Sequence, residues 1–281
     1  MRPYLILLYF LISLAGTAFG QPTPQKIVTE MLSAIGQVKT LKYKLKKTER
    51  IDATYIKGQQ DIKYTRSPKR VYTYIYYPNK GVEVLWKEGE HKNEAYVNPN
   101  AFPYINVRLN PMGSHMRNNN HHTVHEVGFD YIGSIVNNIA NKNAADFANI
   151  FKYEGDVKFD DKDCYKLVID YYPFKFIPYT VKTGENLTQI AKDNFISDYM
   201  ILKANKNIDD YNDVVAGQQI LIPNAYARKT VLYIDKNTNL PISQAMFDDK
   251  GLYGQYEYYD VILNSVISDE EFNADFSKYG F

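Results

Sequence analysis

Residues 179–223 read YTVKTGENLTQIAKDNFISDYMILKANKNIDDYNDVVAGQQILIP. Tyr179 and Val181 alternate as a short strand, and Gly184 supplies a turn. Leu187, Ile190 and Ala191 then share one face of a helix. A second helix carries Tyr199, Ile201 and Leu202 and ends near Asn205. Ile220 and Ile222 alternate as a closing strand, and Pro223 stops it. The order is β-α-α-β. Pairing of its two strands brings the ends of the segment together, so it can sit inside a hairpin of a host domain without prying that hairpin open.

The flanking sequence supplies the host, in two parts at 21–178 and 224–281. Ile27, Val28, Met31, Leu32 and Ile35 give one apolar helical face after Pro24. From Leu41 the period changes to two: Leu41, Tyr43 and Leu45 alternate with Lys42, Lys44 and Lys46, a strand with one wet face. Residues 71–77 and 82–86 form a hairpin signal around Pro78-Asn79-Lys80-Gly81. Polar residues from Asn110 to His122 read as a long loop. Ile132, Ile135, Val136 and Ile139 return to helical spacing, extended here to Phe147 and Phe151. Residues 164–172 are a strand, and 230–234, 242–247 and 253–263 a meander with polar turns. Ser268 and Glu271 form a capping box before a last short helix with Phe272 and Phe276. The fold class is therefore α+β: a curved antiparallel sheet, in effect a half-barrel, with covering helices and a small inserted domain. Such a sheet leaves an apolar groove wherever its helices do not fill it.

Composition narrows the function. The 281 residues carry 33 Lys+Arg against 32 Asp+Glu, a net charge of +1 that lacks the basic excess of a nucleic-acid binder. A hydrophobic share of 45% belongs to a folded chain, and 26 Tyr with 14 Phe favour strands. The single Cys excludes an internal disulfide and any multi-Cys metal site. Residues 1–20 read as a cleaved export signal: Arg2, an apolar run, then Ala18 and Gly20 ahead of Gln21. With no Cys at the cut and no later long apolar run, the expected product is periplasmic or secreted, without a transmembrane segment.

The 179–223 segment resembles the LysM (lysin motif) family throughout. The matching positions are Tyr179, Val181, Gly184, Leu187, Ile190, Ala191, Leu202, Asn205, Gly217, Gln218, Ile220, Ile222 and Pro223. Glu185 stands where the family usually has Asp, and Asn186 where it has Ser or Thr. The resemblance implies binding of N-acetylglucosamine-containing glycan, peptidoglycan or a chitin-like polymer. The implied contacts are Gly184, Glu185, Asn186, Leu187 and Thr188 in one loop and Lys206, Asn207, Ile208 and Asp209 in another. On that expectation Leu187 and Ile208 cradle the acetamido methyl. The host resembles the periplasmic lipoprotein-carrier superfamily of LolA and LolB type, carried by its element order and by Tyr233-Ile-Asp-Lys-Asn-Thr-Asn-Leu-Pro241 followed by Ile242-Ser-Gln. That resemblance implies an apolar concave face for a lipid or a lipoprotein.

Catalysis has less support in the sequence. His121, His122 and His125 form the one His cluster, with Glu126 and Asp130 behind it, but the His-Glu-x-x-His spacing of a helical zinc protease is absent. Cys164 reads as a buried structural thiol. No catalytic residue, metal ligand or cofactor is assigned. The expectation is a non-catalytic wall-binding protein. The alternatives are a metal-dependent hydrolase using the three histidines and a purely structural envelope protein.

Overall fold

The computed structural model describes residues 21–281, so the expected export signal lies outside the described residues. An amphipathic helix α1 (Pro24–Gln37) is capped by Thr23, whose side chain accepts from the Lys26 amide. Strands β1 (Thr40–Ile51), β2 (Thr54–Arg66), β3 (Lys69–Tyr77), β4 (Glu83–Lys87), β5 (Ala95–Asn98) and β6 (Val107–Leu109) follow as a meander. The chain then runs through a short helix α2 (Ser114–Arg117) to α3 (Asp130–Lys142) and a single turn α4 (Phe147–Ile150). It returns through β7 (Phe151–Phe159) and β8 (Lys162–Asp170). The inserted segment contributes β9 (Phe176–Thr180), α5 (Leu187–Asn194), α6 (Asp198–Ala204) and β10 (Gln219–Pro223). Strands β11 (Lys229–Asp235), β12 (Pro241–Asp248) and β13 (Gly251–Leu263) complete the host.

Eleven strands form one antiparallel sheet in the order β6-β5-β4-β3-β2-β1-β13-β12-β11-β8-β7. The sheet ends in two edges and does not close, which is the architecture expected from the sequence. Its inner face and the helices α1 and α3 share one core, with Leu41, Leu167, Leu232, Met31 and Val136 fully buried. Gly133 lets the two helices approach: a Cβ there would stand 3.2 Å from the Ile35 side chain.

The insert occupies the connection between β8 and β11, which pair directly through Asp170 and Lys229. Asn224 ties the neck, donating to the Pro173 carbonyl and accepting from the Lys175 amide. The small sheet pairs β9 with β10, Tyr179 opposite Ile220. Val181 lies one residue past the strand but is buried with Leu187, Ile190, Ile201, Ile208, Ile220 and Ile222 in a second, separate core.

Two expectations need correcting. The helix over Ile132–Ile139 does not continue to Phe151; it ends at Lys142, and Phe151 opens β7. Phe147 and Phe151 do share a face, stacked at 4.2 Å, but across a helix–strand junction. The last helix is one 3-10 turn at Asp269–Phe272, with the expected capping box and Phe276 beyond it. That turn packs on the outer face of the sheet, where fully buried Phe272 joins Tyr72, Leu85 and Ile267. Phe272→Ala is expected to cost ~3–5 kcal/mol, as for large core truncations, and to lower the urea midpoint correspondingly.

Candidate functional site

The helices fill most of the concave face but leave a cavity of about 180 Å³. Its walls are apolar side chains of the inner sheet and of α3, among them Leu45, Ile62, Val71, Ile75, Val84 and Ile132. Pro111, Met116, Asn120 and His122 of the 110–122 segment wall another side. The space equals roughly six waters at ~30 Å³ each and falls below the ~300–1,000 Å³ of typical ligand pockets.

One end of this cavity is polar. Lys47 and Glu49 continue the inward alternation of β1, so the strand that buries Leu41, Tyr43 and Leu45 also carries a charged pair inside. Lys47 Nζ lies 2.7 Å from Glu49 Oε2 and donates to Asn120 Oδ1 at 2.6 Å. Tyr256 Oη donates to Glu49 Oε1 at 2.7 Å. The Glu49 side chain is 0% exposed. Burial opposes its charge, but the Lys47 ammonium prevails and the carboxyl is held at about 2. His122, buried among Tyr131, Tyr226 and Tyr256, is pushed down to about 3 by that burial and stays neutral. Thr73 Oγ1, buried in the cavity wall, has no hydrogen-bond partner among the described residues. An apolar cavity with hydrogen-bonding groups at one end suits an amphiphile better than a purely hydrocarbon guest.

The inserted segment presents the two loops named from its sequence. Gly184 is exposed at φ +82°, with nothing within 4 Å of a Cβ placed there. Lys206, Asn207 and Asp209 are exposed. Glu185 folds back, its carboxylate accepting from Tyr179 Oη and the Lys182 amide, both at 2.8 Å. Asn186 caps α5 through the Gln189 amide and donates to Asn212 Oδ1. Leu187 and Ile208, expected to face the acetamido methyl, are buried in the inserted core, where they pack with Val181, Ile190, Ile201, Ile220 and Ile222. Thr188 is also turned inward, accepting from Arg117 and donating to Asp198 Oδ2.

The insert is docked firmly on the host. Tyr199 and Met200 of α6 belong to the large core, and Ser197 Oγ lies 2.6 Å from Tyr253 Oη. Tyr199 Oη accepts from the Asp52 amide at 2.9 Å, and Lys203 pairs with Asp52 at 2.7 Å. Arg117 of α2 pairs with Asp198 and is almost fully buried at the seam.

His121 and His122 sit in one aromatic cluster with ring centroids 6.4 Å apart, and His125 lies elsewhere. His121 stacks on Tyr253 with Nε2 on the Arg50 carbonyl; His122 Nε2 meets Tyr226 Oη at 3.1 Å; His125 sits edge-on to Trp86. Among the described residues no three His, Cys, Asp or Glu side chains converge in a metal-binding group, at 121–125 or elsewhere. The buried Cys164 thiol is raised to about 11 by burial and is a poor nucleophile.

The sequence reading missed Lys47, Glu49, Thr73 and Arg117. The first two had a signal, since the period-two pattern from Leu41 places them inward.

A family described as "LysM domain" matches residues 179–223. This segment is a LysM domain. A second family, described as "Protein of unknown function (DUF1571)", matches residues 38–173, which run from just before β1 to just past β8. No curated protein matches the chain. Similar solved structures include the lipoprotein LppX of Mycobacterium tuberculosis, 11% identical with TM-score 0.41, covering 89% of this chain and 100% of that one. LprF of Mycobacterium bovis is 10% identical with TM-score 0.39, covering 89% and 99%. A LolA superfamily protein of Nitrosomonas europaea is 11% identical with TM-score 0.34, covering 91% and 99%. At this level the likeness concerns the path of the chain and carries no ligand across. Among the described residues no helix is long and apolar enough to cross a membrane.

Proposed function

We propose that the chain is an exported, non-catalytic cell-envelope protein with two binding sites. The LysM domain grips an N-acetylglucosamine polymer, peptidoglycan in the first instance, and the sheet cavity takes the apolar chain of a lipid or lipoprotein. The observation that carries this reading is a LysM domain with open loops at Gly184, Lys206, Asn207 and Asp209, seated beside a cavity with apolar walls and a polar end. One shallow glycan site of millimolar to high-micromolar affinity corresponds to about −4 to −6 kcal/mol, which a polymer raises by avidity. Residues 1–20, read as an export signal, support a periplasmic or secreted location.

The test has two arms. Mature protein is spun down with insoluble peptidoglycan, and in parallel with insoluble chitin, beside a Lys206→Ala/Asn207→Ala variant. Retention by one polymer that falls several-fold in the variant supports the glycan site and names its polymer; no retention on either overturns it. Deleting 179–223 is a poorer control, because it strips Tyr199 and Met200 from the host core. In the second arm, dansyl-undecanoic acid is titrated into the protein and into Ile75→Trp, which fills the cavity. Saturable fluorescence enhancement lost in the variant supports the apolar site, and equal enhancement in both removes it.

A further inference from the structure

We propose that Arg117, a residue of the host, is a positioning residue of the LysM glycan groove, and that its segment makes cavity loading and glycan binding oppose each other. This rests on the two-site reading above.

The geometry around Arg117 joins both glycan loops from beneath. Its guanidinium donates to Thr188 Oγ1 at 2.9 Å and pairs with Asp198. Its flat face lies over the Tyr211 ring, 3.1 Å from the centroid. Thr188, the last residue of the first glycan loop, lies in the first turn of α5, and Tyr211 lies just beyond the second loop. The loops meet where the Leu187 amide donates to the Tyr211 carbonyl and Asn186 Nδ2 to Asn212 Oδ1, both at 2.9 Å. One cation therefore sets the spacing of the two loops. Its side chain is only 5% exposed, so it acts through Thr188 and Tyr211 and does not touch sugar. Planar, multidentate Arg suits this task, as a Lys ammonium would not cover the ring and both oxygens together.

The same segment forms part of the cavity. Met116 and Asn120 flank Arg117 and face the cavity, as do Pro111 and His122. The cavity of about 180 Å³ is smaller than typical ligand pockets, so a long alkyl chain seated wholly inside it would displace a wall. The sheet walls are held by ladders on both sides, whereas 110–122 contains only the one-turn α2. Moving it outward draws Arg117 away from Thr188 and Tyr211 and loosens the groove. By linkage, a glycan that needs the groove intact disfavours the loaded cavity to the same extent.

The experiment titrates chitohexaose into the full mature protein, empty and saturated with dansyl-undecanoic acid. The wild type is expected to bind the sugar about fivefold or more weakly when loaded, a coupling within the usual allosteric range. Arg117→Ala and, with the seam volume kept, Asp198→Asn should bind it about fivefold or more weakly when empty and show little further change on loading. Circular dichroism and a cooperative melt establish that the variants are folded, and dansyl binding should tighten in them because loading no longer has the Arg117 contacts to break; a purely structural role would lower their melting temperature and leave the loaded-to-empty ratio alone. Equal wild-type affinity in the two states, or variants that keep wild-type affinity, overturns the proposal and leaves the glycan reading standing. A wild type that binds no chitohexaose in either state overturns this proposal, and the sedimentation with peptidoglycan decides separately whether the glycan reading stands.

Discussion

Acidification from pH 7 to pH 3 is expected to destabilise the protein by a few kcal/mol, with His122 as the largest single source. His122 is held at about 3 in the fold against an ordinary value near 6.5. Between those values the unfolded chain binds a proton that the native chain refuses, so stability falls as the pH is lowered through that window. Each unit of pKa difference is worth about 1.4 kcal/mol. His121, also pushed down by burial, acts in the same sense. Glu49 extends the loss: held at about 2 against 4.5, its stabilising charge is present above 4.5 and disappears as the pH falls toward 2. Glu126 opposes them, since burial raises its carboxyl. Urea midpoints measured from pH 7 to pH 3 should fall steadily in the wild type. In His122→Gln, which can still meet Tyr226, the slope between pH 6.5 and 4.5 should be clearly shallower. Parallel slopes would mean that this imidazole is not the neutral buried group described.

Removal of one partner from the charged pair in the cavity should be the most damaging single change in β1. Lys47→Met leaves Glu49, 0% exposed, with Tyr256 as its remaining close donor. An uncompensated buried charge of this kind costs ~3–5 kcal/mol. The double variant Lys47→Met/Glu49→Met removes both charges and should recover most of that loss, since replacing a whole buried pair by apolar groups of similar volume is often neutral or stabilising. Denaturant titration of the wild type, both singles and the double gives the coupling directly. A mild single variant, or a double worse than the single, would contradict a tightly buried pair. The double, at conserved volume, also removes both charges from the polar end of the cavity. Comparing its dansyl-undecanoic acid affinity with that of the wild type then shows how much the acid headgroup uses Lys47.

Much of the host was legible because its strands obey a period of two. The inward set Leu41, Tyr43 and Leu45 and the outward lysines needed no tertiary information. The meander β11–β12–β13 was legible from its polar turns, and the 78–81 turn from Pro and Gly. Strand β2 was passed over because it mixes Lys, Gln and Asp with Tyr and Ile; only pairing on both sides, to β1 and β3, makes it a central strand. The junction at Phe151 was misread for the opposite reason, since two aromatic residues four apart fit a helical face as well as a turn leading into an edge strand.

The sequence by itself determined the LysM segment, the alternation that curves a wet sheet around an apolar face, and the near-neutral charge that sets nucleic acid aside. Those are local patterns, read within one element or one short motif. Only the tertiary structure decided what lies between elements. It turned Leu187, Ile208 and Thr188 inward, because a small domain must spend its apolar residues on its own core and its first helical turn on the seam. It also gathered His121 and His122 into one aromatic cluster, set His125 against Trp86, and placed Arg117 against Thr188, some seventy residues away in the chain. Burial and long-range pairing depend on which surfaces meet, and no spacing along a chain encodes that meeting.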